Sequence, residues 1–120
     1  MTTRRQRRVA ELIHRELSLI LLREVRDPRL AEITITDVRV TPDLLIARIY
    51  FTVLGGHEAQ QEALAGLESA CGFLRTQLAG RIRLRLAPEL EFEVDRSAEY
   101  AQRIEQLLDQ IAQEGHPADG

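Results

Sequence analysis

Apolar residues recur at three- and four-residue spacing from the start of the chain. Val9, Leu12, Ile13, Leu17, Ile20 and Leu21 fall on one side of a helix, so residues 4–25 are predicted to form a long amphipathic helix. Asp27-Pro28 ends it, because the residue before a proline is pushed out of the helical region. The period then changes. Ile33-Thr-Ile-Thr-Asp-Val-Arg-Val40 is rich in β-branched residues and alternates, with a change of phase near Asp37 that signals a bulge. Thr41-Pro42-Asp43 supplies turn chemistry, and Ala47, Ile49, Phe51 and Val53 share one face of a second strand, which completes a hairpin.

Gly55-Gly56 breaks the pattern, after which Ala63, Leu64, Leu67, Cys71, Leu74 and Leu78 trace a second helical stripe. Gly66 and Gly72 lie inside it, each costing ~1 kcal/mol against Ala, so one of them is expected to mark a bend or a close helix-to-sheet contact. Beyond Pro88, Leu90, Phe92 and Val94 alternate with Glu91, Glu93 and Asp95 as a third strand with an acidic face. Ser97 is a good cap for a last helix whose stripe is Tyr100, Ile104, Leu107, Leu108 and Ile111. The pattern predicts an α+β fold, with helices on one face of a small mixed sheet and the third strand parallel to the first. One domain over residues 1–112 and a flexible acidic tail over 113–120 are expected.

The chain has 120 residues and a net charge of −3, which by itself argues against nucleic acid. Divided along the sequence, the charge says otherwise: residues 1–88 carry net +4 and residues 89–120 net −7. All 16 basic residues are Arg. The planar Arg fork grips phosphate bidentately, although a GC-rich coding sequence is the stronger account of the absence of Lys.

Enzymatic chemistry finds no support in the pattern. His14, His57 and His116 stand apart, without metal-ligand spacing or a neighbouring nucleophile. Cys71, the one cysteine, falls on an apolar stripe, where it reads as a small buried hydrophobe and excludes an internal disulfide. Glu89, Glu91, Glu93 and Asp95 lie two apart on one strand, a solvated outer face rather than converging metal ligands. No two of the seven glycines form G-x-x-G or a Walker pattern. No cofactor and no metal are expected. The longest near-apolar run, Leu17 to Leu22, is far short of the ~20 residues that span a bilayer. The Arg-rich start has no apolar signal core behind it, and Glu11 and Glu16 argue against a transit peptide, so a soluble cytoplasmic protein is expected.

The arginines are more informative. At about 100° per residue, Arg4, Arg8 and Arg15 fall within about 40° of one another on the first helix, opposite its apolar stripe, with Arg5 and Arg7 beside them. A second cluster is Arg75, Arg81, Arg83 and Arg85, the last three alternating with Ile82, Leu84 and Leu86 so that an extended segment would turn all three to one face. Either cluster alone is equally a solvated face; two of them in a +4 half point to phosphate binding. Base stacking is weakly represented: of five aromatics, most lie on apolar stripes, and Tyr50, opposite Phe51, is the one placed to stack. The alternative function is a protein-interaction module, with Leu19 and Leu22 off the stripe to seat a partner.

Longer runs resemble a family. Arg8-Val9-Ala10 with Leu17-Ser18, Glu24-Val25-Arg26-Asp27-Pro28-Arg29-Leu30 and Thr34-Ile35-Thr36-Asp37-Val38 resemble bacterial ribosome-binding factor A. So do Thr41-Pro42-Asp43-Leu44 with Ala47 and Tyr50, Val53-Leu54-Gly55, Ala70-Cys71-Gly72-Phe73-Leu74-Arg75, and Leu84-Arg85 with Pro88-Glu89-Leu90. The match runs in order over residues 8–95. The resemblance implies a type II KH-like fold, α-β-β-α-kink-α-β, here with an extra C-terminal helix. The Ala-x-Gly kink that replaces the usual KH loop is Ala70-Cys71-Gly72. It further implies a monomeric assembly factor that binds 16S rRNA and free, immature 30S subunits but not mature 70S ribosomes. Support of rRNA 5′-end processing and of growth in the cold belongs to the same implication. The acidic last helix and tail are the least family-like part.

Overall fold

The first helix is set by its own N-terminus. The Thr3 side chain accepts from the Gln6 backbone N–H at 3.1 Å, and the Gln6 side-chain oxygen accepts from the Thr3 N–H at 2.9 Å, a reciprocal capping box. The Gln6 amide also donates to the Val40 carbonyl at 2.9 Å, so the buried side chain that caps the helix also ties it to a strand. In a computed structural model that describes residues 2–84 and 86–115, α1 runs Arg4–Arg23, β1 Thr34–Val40, β2 Ile46–Thr52, α2 His57–Arg81, β3 Glu89–Val94 and α3 Ser97–Glu114.

α1 ends before it reaches the proline. Glu24 is its C-cap, and Asp27 accepts from the Arg29 N–H to start a single 3₁₀ turn, Pro28–Leu30. β1 and β2 pair antiparallel, and the register shifts between Ile35 and Asp37. The predicted bulge is therefore present, and it returns Ile35, Val38 and Val40 to one buried face. In the hairpin turn Asp43 accepts from the Thr41 hydroxyl and the Leu45 N–H, while Leu44 adopts the left-handed region at φ 62°.

β3 pairs parallel with β2, not with β1 as expected, and the sheet order is β1-β2-β3. The crossover from β2 through α2 returns the chain to the open edge of the strand it left. There α2 packs against β3 while α1 covers β1. Between these helices and the sheet lies the core, with Ile13, Leu17 and Ile20 of α1, Ile49 and Phe51 of β2, and Leu67, Leu74 and Leu78 of α2 fully enclosed.

Two further expectations change. The Ala70-Cys71-Gly72 motif does not divide two helices: α2 is continuous over 25 residues, because Ala63 and Leu67 before it and Leu74 and Leu78 after it keep one phase and are buried together. Gly66 is the glycine at a close contact, but with the 3₁₀ turn rather than the sheet. A Cβ there would meet Leu30 Cδ2 at 3.0 Å and Arg29 Cβ at 3.1 Å, whereas Gly72 has nothing within 4 Å.

α3, expected to join the helical layer, buries none of its residues. The apolar sheet face is already filled by α1 and α2, and the opposite face carries Arg39, Arg48, Tyr50, Glu91 and Glu93, which offer no apolar seat. Its stripe of Tyr100, Ile104, Leu107, Leu108 and Ile111 stands exposed. Among the described residues no helix is long and apolar enough to cross a membrane.

Candidate nucleic-acid interface

A helix N-terminus carries partial positive charge from its unpaired N–H groups, so acidic side chains are favoured in the first turn and basic ones opposed. α1 inverts that rule. It has no acid in its first turn, and Arg4, Arg5, Arg7 and Arg8 occupy its first two turns, all exposed. Among the described residues none of the four takes part in a salt bridge. Four like charges at the wrong end of a dipole do nothing for the helix, and together they concentrate exposed positive charge at its start.

The second cluster comes to the same side. Arg5 lines a cleft of about 140 Å³ with Asp43, Leu44, Leu45, Leu84 and Leu86, so the end of α1 abuts the loop between α2 and β3. Arg83 is exposed on that loop; Arg85 lies outside the described residues. Arg75, exposed on α2, donates to the Ala87 carbonyl at 3.0 Å and pins the loop from below.

Arg81 departs from expectation. It is the last residue of α2 rather than part of an extended run, and it pairs with Glu24 and, at 3.5 Å, with Glu16. The other oxygen of Glu16 faces Arg15 at 3.5 Å. Arg81 thus clips the end of α2 to α1, and Glu16 joins the two arginine clusters while neutralising part of both. Arg15 itself stays exposed. Ala70 and Cys71 of the motif inside α2 are half-buried, the Cys71 thiol lying 3.8 Å from the Leu90 carbonyl, and Gly72 is exposed.

Of the outer sheet face, the sequence singles out only Tyr50 for contact with a nucleic acid. Arg39 lies over the Tyr50 ring at 5.4 Å from its centroid, and Arg48 pairs with Glu91 at 3.3 Å across β2 and β3. The signal was the alternation itself: Arg48 and Tyr50 occupy the positions between Ala47, Ile49 and Phe51. Two aromatics assigned to packing are also exposed, Phe73 at 46% and Tyr100 at 68%. His14 spans from α1 to the Ile35 carbonyl at 2.9 Å, a contact that holds helix to strand. Among the described residues no group of three His, Cys, Asp or Glu is placed to hold a metal ion.

Residues 5–108 match the family Ribosome-binding factor A. The chain belongs to that family. It is 46% identical over 110 residues to the Ribosome-binding factor A of Aromatoleum aromaticum, covering 92% of this chain and 87% of that protein. To the Geobacter sulfurreducens protein of the same name it is 47% identical over 110 residues, covering 92% and 93%. The crystal structure of ribosome-binding factor A from Thermus thermophilus superposes with a TM-score of 0.69 at 29% identity, over 77% of this chain and 97% of that one. The solution structure of a Thermotoga maritima ribosome binding factor A gives 0.69 at 33%, over 78% and 90%. A homology model of the Thermus thermophilus protein, fitted into a cryo-electron microscopy map of its 30S complex, gives 0.57 at 28% identity, over 78% and 94%.

Within the ribosome-binding factor A sequence pattern, Asp27-Pro28-Arg29-Leu30 now has a physical account. The Asp27 carboxylate takes the Arg29 backbone N–H at 2.9 Å and its guanidinium at 2.7 Å. The Arg29 side chain beside it holds the Asp27 carboxyl below the usual carboxylate range. The turn so locked is the one against which Gly66 packs. The α+β architecture, with three helices and a three-stranded mixed sheet, is the family's.

Proposed function

We propose that this chain binds the immature small ribosomal subunit, docking on 16S rRNA through Arg4, Arg5, Arg7, Arg8 and Arg15 of α1 together with Arg75, Arg83 and Arg85. It acts there as a non-enzymatic, monomeric assembly factor of the cytoplasm, supporting 5′-end processing and late maturation, including at low temperature, and it leaves mature 70S ribosomes alone. The observation that carries this reading is the cluster of four exposed arginines set against the α1 dipole, in a family whose Thermus thermophilus member has been fitted into a map of a 30S complex. A surface of this kind reads backbone charge and shape rather than base sequence. Crosslinking the bound protein to immature subunits and locating the linked nucleotides tests it. Links from the α1 end to small-subunit rRNA are expected, and links confined to ribosomal proteins contradict it.

A second reading, a protein-interaction module with secondary RNA contact, is favoured by Leu22, 77% exposed on α1, and by the open stripe of α3. Nuclease treatment of a pull-down separates the two, since an RNA-held partner is released and a protein-held one is kept.

A further inference from the structure

The chain contains two tyrosines and no tryptophan, and both tyrosines line one cleft. The cleft, about 360 Å³, opens where the outer face of the sheet meets the start of α3. Its walls are Tyr50 and Arg39 on the sheet, Tyr100 and Arg96 at the entry of α3, and Asp37 and Asp95 between them. Its size falls in the range of small-ligand sites, about 300–1,000 Å³. It opens on the face that the helical layer leaves free, and its β1 wall, Asp37 and Arg39, also lines the neighbouring cleft that Arg7 enters from α1.

The walls are held in place. Asp95 accepts from the Ser97 N–H at 2.9 Å and from the Thr36 hydroxyl, which joins the end of β3 to β1. Ser97 and Thr36 keep its carboxyl below the usual carboxylate range, so it is an ionised acceptor with lone pairs to spare. Asp37 fixes Arg39 through a 3.0 Å bond to its Nε, and Arg39 in turn lies over Tyr50. Arg96 is braced by Gln60 and Glu99. Tyr100 is exposed like the rest of the α3 stripe, and it is the member of that stripe that lines the cleft. An aromatic ring 68% exposed beside a braced Arg–Tyr pair is a stacking platform.

We propose that this cleft takes one unpaired purine of single-stranded RNA, stacked on Tyr100 and the Arg39–Tyr50 pair. The carboxylates of Asp37 and Asp95 accept from the donor edge of the base, which for guanine is N1–H and N2–H. Arg96 faces its phosphate. This reading rests on the RNA-binding function above and adds to it a base-reading contact next to the basic cluster, across the β1 edge that Asp37 and Arg39 form.

Because Tyr50 and Tyr100 are the only tyrosines, intrinsic tyrosine fluorescence of the full chain reports this cleft and nothing else. Titration with a single-stranded purine hexaribonucleotide is expected to quench it saturably, and a uridine hexaribonucleotide to bind more weakly. Tyr100→Ala should weaken purine binding by about five- to a hundredfold, the usual worth of one stacked base, while Tyr100→Phe stays near wild type. Tyr100 lies on a helix that adds nothing to the core, so the variant keeps its fold. No quenching at millimolar oligonucleotide, or a Tyr100→Ala chain that binds the purine oligonucleotide like the wild type in a competition assay, overturns the site. The proposed function is read separately, by binding to immature subunits: if that persists while the cleft stays silent, the site alone is wrong.

Discussion

Gly66 and Gly72 are the same residue type in the same helix, and their surroundings predict opposite outcomes. A Cβ on Gly66 would press on Leu30 and Arg29 at 3.0–3.1 Å, in a turn that Asp27 holds rigid, so Gly66→Ala should destabilise by about 1–3 kcal/mol despite the better helix propensity. Gly72 faces open space, and Gly72→Ala should stabilise by about 0.5–1 kcal/mol. Denaturant melts of the two variants check both signs. The carboxylates give a second expectation at this scale. Asp27 is held low by Arg29, Asp43 by Thr41, Asp95 by Ser97 and Thr36, and Glu99 by Gln60. A carboxyl depressed in the folded state contributes stability that is complete above its unfolded value and disappears as pH falls through the folded one. Stability should therefore decline below about pH 4, and Asp95→Asn should shrink that decline in a pH series of melts.

Elements were legible where one physical cause decided them. α1, β1 with its bulge, β2 and β3 follow from periodicity, and the structure places their boundaries close to those of the pattern. The misreadings share a cause: each depended on what a surface would meet. The parallel partner of β3 was set by the crossover of α2, which no strand pattern records. α3 has the stripe of a core helix, yet the apolar face of the sheet was already taken. The same blindness affected the site: Arg81 reads as one more free cation in the sequence, and only the approach of Glu16 and Glu24 from α1 shows it to be a clip. The exposed stripe predicts its own outcome. Removing residues 97–120 should leave a cooperative unfolding transition with a midpoint close to that of the full chain, since the interactions removed are surface ones such as Gln60 with Glu99. A truncated chain that fails to fold would show α3 to be structural.

At the scale of the whole molecule the charge separates by place. The basic half carries all of the packed body but β3, with exposed arginines gathered at the start of α1 and on the neighbouring loop. The acidic half ends in a helix that packs none of its residues into that body. A net charge of −3 conceals this arrangement, and a polyanion approaching the α1 end meets a field of the opposite sign. The start of α1 also separates function from stability. Replacing Arg4 or Arg5 with Glu places a negative charge at the positive end of the dipole and should raise stability by about 0.3–1 kcal/mol each. On a merely solvated face such a replacement would stabilise the chain at no cost to binding.

The most direct measurement is therefore the salt dependence of binding to immature small subunits for the wild-type chain and for Arg4→Glu/Arg5→Glu/Arg8→Glu. The account predicts weaker binding by a chain at least as stable as wild type, with a log–log salt slope flattened by about 0.7–0.9 for each phosphate no longer neutralised. Unchanged affinity and slope in a folded triple variant would contradict it.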